Sequence, residues 1–133
     1  MMKDKVVLVT GSTSGIGLGI ASGLAAKGSH IVLNGFGEPE EIEQTRSDLA
    51  ARHGVEVAYS GADMSQRVAI AGMIEEVLSR FGRLDVLVNN AGIQFVSPIE
   101  EFPTAKWDAI IAINLSSAFH TSRLAIPKMK EAG

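Results

Sequence analysis

A strand-like run, Lys5–Thr10 (KVVLVT), passes directly into GSTSGIG, and a helical pattern follows. The three glycines of that loop, Gly11, Gly15 and Gly17, constrain the fold more than any other feature of the chain. A strand-to-helix turn needs one or two glycines, and three at this spacing exceed that need. The first can take a backbone angle closed to other residues. The second keeps a side chain out of the mouth of the turn, and the third lets the helix lie close on the strand. A helix start adds free N–H groups and the positive end of the dipole, so the loop also suits an anion. Two readings stand: a bare turn, and a cradle for phosphates. The strand before and the helix after favour the cradle, with a dinucleotide as its ligand.

The rest of the chain repeats the strand-then-helix pattern. His30–Gly35 (HIVLNG), Val55–Ser60 (VEVAYS) and Leu84–Asn90 (LDVLVNN) are further apolar runs. They lack polar alternation, which suits strands buried on both faces of a parallel sheet. Between them, Ile16, Ile20 and Leu24 recur every four residues and Gly28 supplies a stop. A second helix has Pro39 near its start, acids in its first turn, Ile42 and Leu49 seven apart, and Gly54 at its end. A third has Ser65 as N-cap, with Ile70, Ile74, Val77 and Phe81 on one face and Gly82 as its stop. The last pattern runs from Thr104 to Glu131, interrupted at Asn114 and Pro127; an interior Pro costs about 3 kcal/mol. The order βαβαβαβα predicts an α/β fold, a Rossmann-type doubly wound parallel sheet with helices on both faces.

Composition excludes several classes. The 133 residues suffice for one domain with a hydrophobic core. A 46% hydrophobic and 20% charged chain is globular rather than disordered. The net charge of −3, without a basic cluster, argues against a nucleic-acid partner. No cysteine is present, which removes disulfides and thiolate metal sites and fits a reducing cytoplasm. The first apolar run is too short for a signal peptide or a membrane span. His30, His53 and His120 are scattered without metal-site spacing, so no metal is expected.

TGSTSGIG at Thr10–Gly17, GAD at Gly61–Asp63, NNAG at Asn89–Gly92 and Asn114 beyond it stand in the order found in one family. The chain resembles the short-chain dehydrogenase/reductases. LNGFGEPEEIE, NNAGIQF and EFPTAKWDAIIAINLSSAFH resemble the branch that interconverts D-3-hydroxybutyrate and acetoacetate. The resemblance runs from end to end of the chain and covers the N-terminal half of such an enzyme. It implies roles residue by residue. Gly11, Gly15, Ile16 and Gly17 cradle the cofactor phosphates, with Thr13 and Ser14 nearby. Asp63 accepts a hydrogen bond from the adenine amino group, assisted by the backbone of Met64; read alone, Asp63 is a helix cap. Asn90, Ala91 and Gly92 line the adenosine ribose and the floor of the cleft, and also form a tight turn. Phe36 packs beside the adenine end, or is core. Asn114 belongs to the catalytic tetrad, on a helix that kinks there; read alone, it is a buried Asn satisfied by nearby backbone. Gln94 grips the carboxylate of a small hydroxy-acid substrate.

At the end of the second run, Asn34, Gly35 and Phe36 stand where many NAD-binding folds place an acid. No Arg or Lys lies at Ser12–Ser14 or Asn34–Gly37 to meet a 2′-phosphate, so NAD is expected over NADP. The family reaction uses a tyrosine base whose pKa, ordinarily about 10, is lowered by a lysine four residues on. The one tyrosine here is Tyr59, and four residues later stands Asp63. Residues 1–133 are therefore expected to be the dinucleotide-binding part of one Rossmann domain, ending before the catalytic Ser, Tyr and Lys. Such a piece is expected to be inactive and poorly soluble alone, with its fourth strand left at a sheet edge. The full-length parent is expected to be a homotetramer. The alternatives are a non-catalytic NAD-binding module and a short-chain dehydrogenase for another small secondary alcohol.

Overall fold

Each apolar run becomes a strand in the computed structural model, which describes residues 1–133. The strands are β1 (Val6–Val9), β2 (His30–Asn34), β3 (Val57–Ser60) and β4 (Val86–Val88). They form one parallel sheet in the order β3-β2-β1-β4. The chain walks outward from β1 to β3, then crosses back to place β4 on the other side of β1. β1 is thus the point where the winding reverses. No helix is long and apolar enough to cross a membrane.

The sheet separates two cores, and β1 contributes to both by alternation. Val6 and Leu8 pack with Ile70, Met73, Ile74 and Val77 of α3 (Arg67–Phe81) and with Ala125 of α5 (Ser117–Ala132). Val7 and Val9 pack with Ala21 and Ala25 of α1 (Gly15–Ala26) and Leu49 of α2 (Pro39–His53). This double burial explains the unbroken apolar runs. β4 and β3 are the edges, and all three residues of β4 are only half-buried.

The α2 and α3 patterns hold: Pro39 opens α2, and Gly54 and Gly82 close their helices in the left-handed conformation. Three local expectations are corrected. The face that α1 buries is Gly17, Ala21 and Ala25, while Ile16 is 79% exposed. Ile20 and Leu24 are half-buried and pack against the margin of the same core, so of the periodic residues only Ile16 is turned away from it. Ser65 is not the N-cap of α3; that position is Gln66. Ser65 instead gives its N–H and hydroxyl to Asp63 Oδ1, at 2.9 and 2.7 Å. The last helical pattern divides into α4 (Thr104–Ile111), a π turn (Ala112–Ser116) and α5. Pro127 lies inside α5 without ending it.

Candidate dinucleotide site

The carboxyl ends of all four strands reach one edge of the sheet, where open α/β folds bind ligands beside the winding reversal. Four segments meet there: the glycine loop after β1, Asn34–Gly37 after β2, Gly61–Met64 after β3 and Asn89–Gly92 after β4.

The three glycines have different jobs. Gly11 has φ +63°, and an added Cβ would stand 2.8 Å from Ala91 Cα. A Cβ on Gly17 would fall 2.2 Å from the Gly11 carbonyl oxygen and 2.5 Å from Asn90 Nδ2. Both glycines therefore serve packing inside the protein. Gly15, at φ +59°, has nothing within 4 Å of an added Cβ, so it opens onto the mouth of the loop. Ser14, Gly15 and Ile16 are exposed, and Ser14 makes no side-chain cap. The N–H groups of Gly15, Ile16 and Gly17 have no partner. Unsatisfied donors, a helix start and an open glycine face fit a diphosphate.

Buried polar side chains fix this loop to the neighbouring strand ends. Thr10 Oγ1 accepts the N–H groups of Asn90 and Ala91, each at 3.0 Å, and donates to the Val88 carbonyl. Asn90 Nδ2 donates back to the carbonyls of Thr10 and Gly11. Asn34 is fully buried. Its Oδ1 accepts from the Gly11 N–H, and its Nδ2 donates to the carbonyls of Ser60 and Ala62. Ser12 donates to the Val9 carbonyl and accepts from the Asn34 N–H. Asn34 thus ties three strand ends together and faces inward, so the place of the usual acid falls to the exposed segment after it. Thr10 and Ser12 do not stand out in the sequence, and Asn34 reads there only as the place of a missing acid. Their one signal was a polar residue closing an apolar run.

Asp63 spends one carboxylate oxygen on Ser65, whose hydroxyl and N–H hold its pKa below the ordinary carboxylate value. No protein donor reaches its second oxygen. The capping reading survives as a local turn ahead of α3. Met64, next along, is buried. Phe36 is 66% exposed, which rules out the core reading. Thr13 is turned toward β2, donating to the Phe36 carbonyl at 3.1 Å.

Asn114 sits in the π turn and is exposed rather than buried. Its amide is nonetheless satisfied by backbone: Oδ1 accepts from the Ile93 N–H and Nδ2 donates to the Ile93 carbonyl, both at 2.8 Å. The π turn sends the Ser117 N–H to the Ala112 carbonyl, and the Ser117 hydroxyl covers the Ile113 carbonyl at 2.6 Å. Gly92 lies beside this pair, its absent Cβ 3.5 Å from Asn114 Oδ1. Gln94 is exposed on the loop that Asn114 pins, and it has no side-chain partner.

A family model described as short chain dehydrogenase matches residues 5–133. The chain is 56% identical over 132 residues to a D-beta-hydroxybutyrate dehydrogenase of Cupriavidus necator, covering 98% of this chain and 50% of that protein. A D-beta-hydroxybutyrate dehydrogenase of Rhizobium meliloti is 54% identical over 129 residues, with 97% and 50% covered. The chain spans about half the length of these curated relatives. In structure it superposes on L-sorbose reductase from Gluconobacter frateurii, complexed with NADPH and L-sorbose, with a TM-score of 0.93 at 34% identity. That match covers 98% of this chain and 49% of the reductase. A metagenomic short-chain oxidoreductase in complex with NADP gives 0.90 at 36% identity, covering 99% and 60%.

Proposed function

The chain belongs to the short-chain dehydrogenase family, and from that premise we propose that it is the dinucleotide-binding part of an NAD-dependent D-3-hydroxybutyrate dehydrogenase. The observation that carries this reading is the mouth of the glycine loop, where the first three N–H groups of α1 have no partner and Gly15 has open space before it. The identity to two hydroxybutyrate dehydrogenases supports the substrate.

When bound, the dinucleotide supplies the hydride acceptor for a secondary alcohol. The N–H groups of Gly15, Ile16 and Gly17 bind its diphosphate, aided by the dipole of α1. Gly11, Thr13 and Ser14 give the loop its shape. The free oxygen of Asp63 accepts from the adenine amino group, and the Met64 backbone assists. Phe36 covers the adenine end from its exposed position. Asn90, Ala91 and Gly92 line the ribose and the cleft floor. Asn114 holds the Ile93 backbone, and through the π turn it positions the proton relay of the full enzyme. Gln94 donates to the substrate carboxylate.

The preference for NAD rests on charge. No cation lies at Ser12–Ser14 or Asn34–Gly37, and Glu38, Glu40 and Glu41 follow directly. Arg46, the next cation along, is engaged by Glu43 and the Val57 carbonyl. The relatives bound to NADP or NADPH make this the point on which the reading departs from its structural neighbours. The base is assigned to the rest of the full-length protein, because the hydroxyl of Tyr59 is committed to the Gly35 carbonyl. Trp107, Leu115 and Phe119 are exposed apolar residues of α4, the π turn and α5. They support a homotetramer of that protein, and the cysteine-free composition supports a cytoplasmic one. The test is oxidation of D-3-hydroxybutyrate by the full-length protein with each cofactor. A higher kcat/KM with NAD is expected; equal or better use of NADP, or no turnover of this substrate, refutes it.

A further inference from the structure

Tyr59 has no part in the reaction as read above, yet it closes a specific contact. It stands on the edge strand β3, and its hydroxyl donates to the Gly35 carbonyl. Thr13, on the glycine loop, donates to the carbonyl of the very next residue, Phe36. Two consecutive carbonyls just past β2 are thus held by side chains from two other segments. The backbone on either side of Phe36 is one that glycine favours, with φ +151° at Gly35 and +155° at Gly37. A Cβ on Gly35 would stand 2.5 Å from Thr13 Oγ1, and one on Gly61 would stand 3.1 Å from the Tyr59 hydroxyl. Both clasping side chains occupy room that a glycine leaves open.

The position of this clasp follows from the connectivity of a dinucleotide. The ribose joins the diphosphate to the adenine, so it lies between the groups that hold them. Those groups are the glycine loop, which carries Thr13, and Asp63, four residues beyond Tyr59. Gly35–Gly37 is the segment fastened between the two. A 2′-hydroxyl adds little bulk there. A 2′-phosphate adds bulk and negative charge, facing a tethered backbone with no cation and with Glu38, Glu40 and Glu41 just beyond.

We propose that Tyr59 and Thr13 are positioning residues that clasp Gly35–Gly37 and thereby set the choice between a 2′-hydroxyl and a 2′-phosphate. The inference rests on the dinucleotide reading and deepens it. Lack of a cation removes an attraction for the phosphate, while the clasp denies it room by preventing the segment from backing away.

The test is titration of NAD and NADP into the full-length protein, as wild type, Tyr59→Phe and Thr13→Val, with a thermal midpoint for each. Both substitutions remove one hydroxyl and keep the shape of the side chain. The dissociation constant for NAD should rise about three- to tenfold in Tyr59→Phe, the scale of one lost hydrogen bond. That for NADP should hold or fall, so the NAD:NADP ratio narrows. Thr13→Val should shift the ratio in the same direction. A ratio that stays fixed in both variants, whether or not the midpoint falls, overturns the clasp and leaves a structural hydrogen bond. A wild type that binds neither dinucleotide, or prefers NADP, overturns the reading beneath it as well; that failure shows in the wild type alone.

Discussion

Exchanging glycine for alanine at two positions of one loop should produce opposite signatures. In Gly17→Ala the new methyl would lie 2.2 Å from the Gly11 carbonyl oxygen and 2.9 Å from its carbon. Both are backbone atoms, so the loop must retreat by nearly an ångström. Overpacking of this kind costs about 1–3 kcal/mol. The same methyl stands 2.5 Å from Asn90 Nδ2, whose two hydrogen bonds weaken at about 1 kcal/mol each. A total of about 3–5 kcal/mol lowers the midpoint of a domain this size by roughly 10–20 °C. In Gly15→Ala nothing is struck, and only the left-handed backbone at φ +59° resists. That costs about 1–2 kcal/mol, a fall of roughly 5 °C. The Gly15 methyl, however, enters the mouth where the diphosphate belongs, so NAD affinity should fall more than the midpoint suggests. Thermal unfolding and calorimetric titration of the two variants separate the effects. A Gly17→Ala protein that melts with the wild type would refute the packing argument. A Gly15→Ala protein that binds NAD as tightly as the wild type would refute the cradle.

Asp63→Ala should lower the midpoint modestly through loss of the two Ser65 hydrogen bonds and, beyond that, weaken NAD binding about tenfold through loss of the free carboxylate oxygen; unaltered affinity in a titration would return Asp63 to a turn residue. Gln94→Ala in the full-length protein should raise KM for 3-hydroxybutyrate roughly ten- to hundredfold with NAD affinity unchanged; steady-state kinetics with an unmoved KM would demote it. Burial pushes the Asp85 carboxyl up, but the Arg83 hydrogen bonds, the Val6 N–H and the charges of Arg83 and Lys5 outweigh this, and its pKa ends below the ordinary value. The stability it lends is present above the unfolded carboxylate pKa of about 3.9 and is lost as pH falls through the lower folded value. Asp85→Asn should therefore flatten the acid limb of a stability–pH curve measured by denaturant melts, and an unchanged limb would show that Asp85 carries none of it.

The fold was legible because double burial writes itself as unbroken apolar runs, and because Gly54 and Gly82 mark where helices stop. The glycine loop was legible because its residue types answer to backbone geometry. What escaped were features set by contacts between distant segments. Asn34 reads as a missing acid until the Gly11 N–H and the carbonyls of Ser60 and Ala62 are seen around it. The α1 stripe of Ile16, Ile20 and Leu24 outscored Gly17, Ala21 and Ala25 on hydrophobicity, yet the small residues are the buried ones, Ile20 and Leu24 lie at the margin, and Ile16 is turned away. Ser65 looked like a cap because serine caps helices, but the Asp63 carboxylate took its hydroxyl first. The π turn followed the interruption expected at Asn114, while the pairing of that side chain with Ile93 could not be read from a separation of 21 residues.

The most direct test of the account is the amide proton–nitrogen spectrum of the isotopically labelled full-length protein, followed as NAD is added. The account predicts saturable shifts, largest at the N–H groups of Gly15, Ile16 and Gly17, with further shifts at Phe36, Asp63, Met64 and Asn90–Gly92. Saturable binding that leaves Gly15–Gly17 unmoved and perturbs another surface instead, such as the groove between β3 and α3 lined by Ala58, Met73 and Val77, would contradict it.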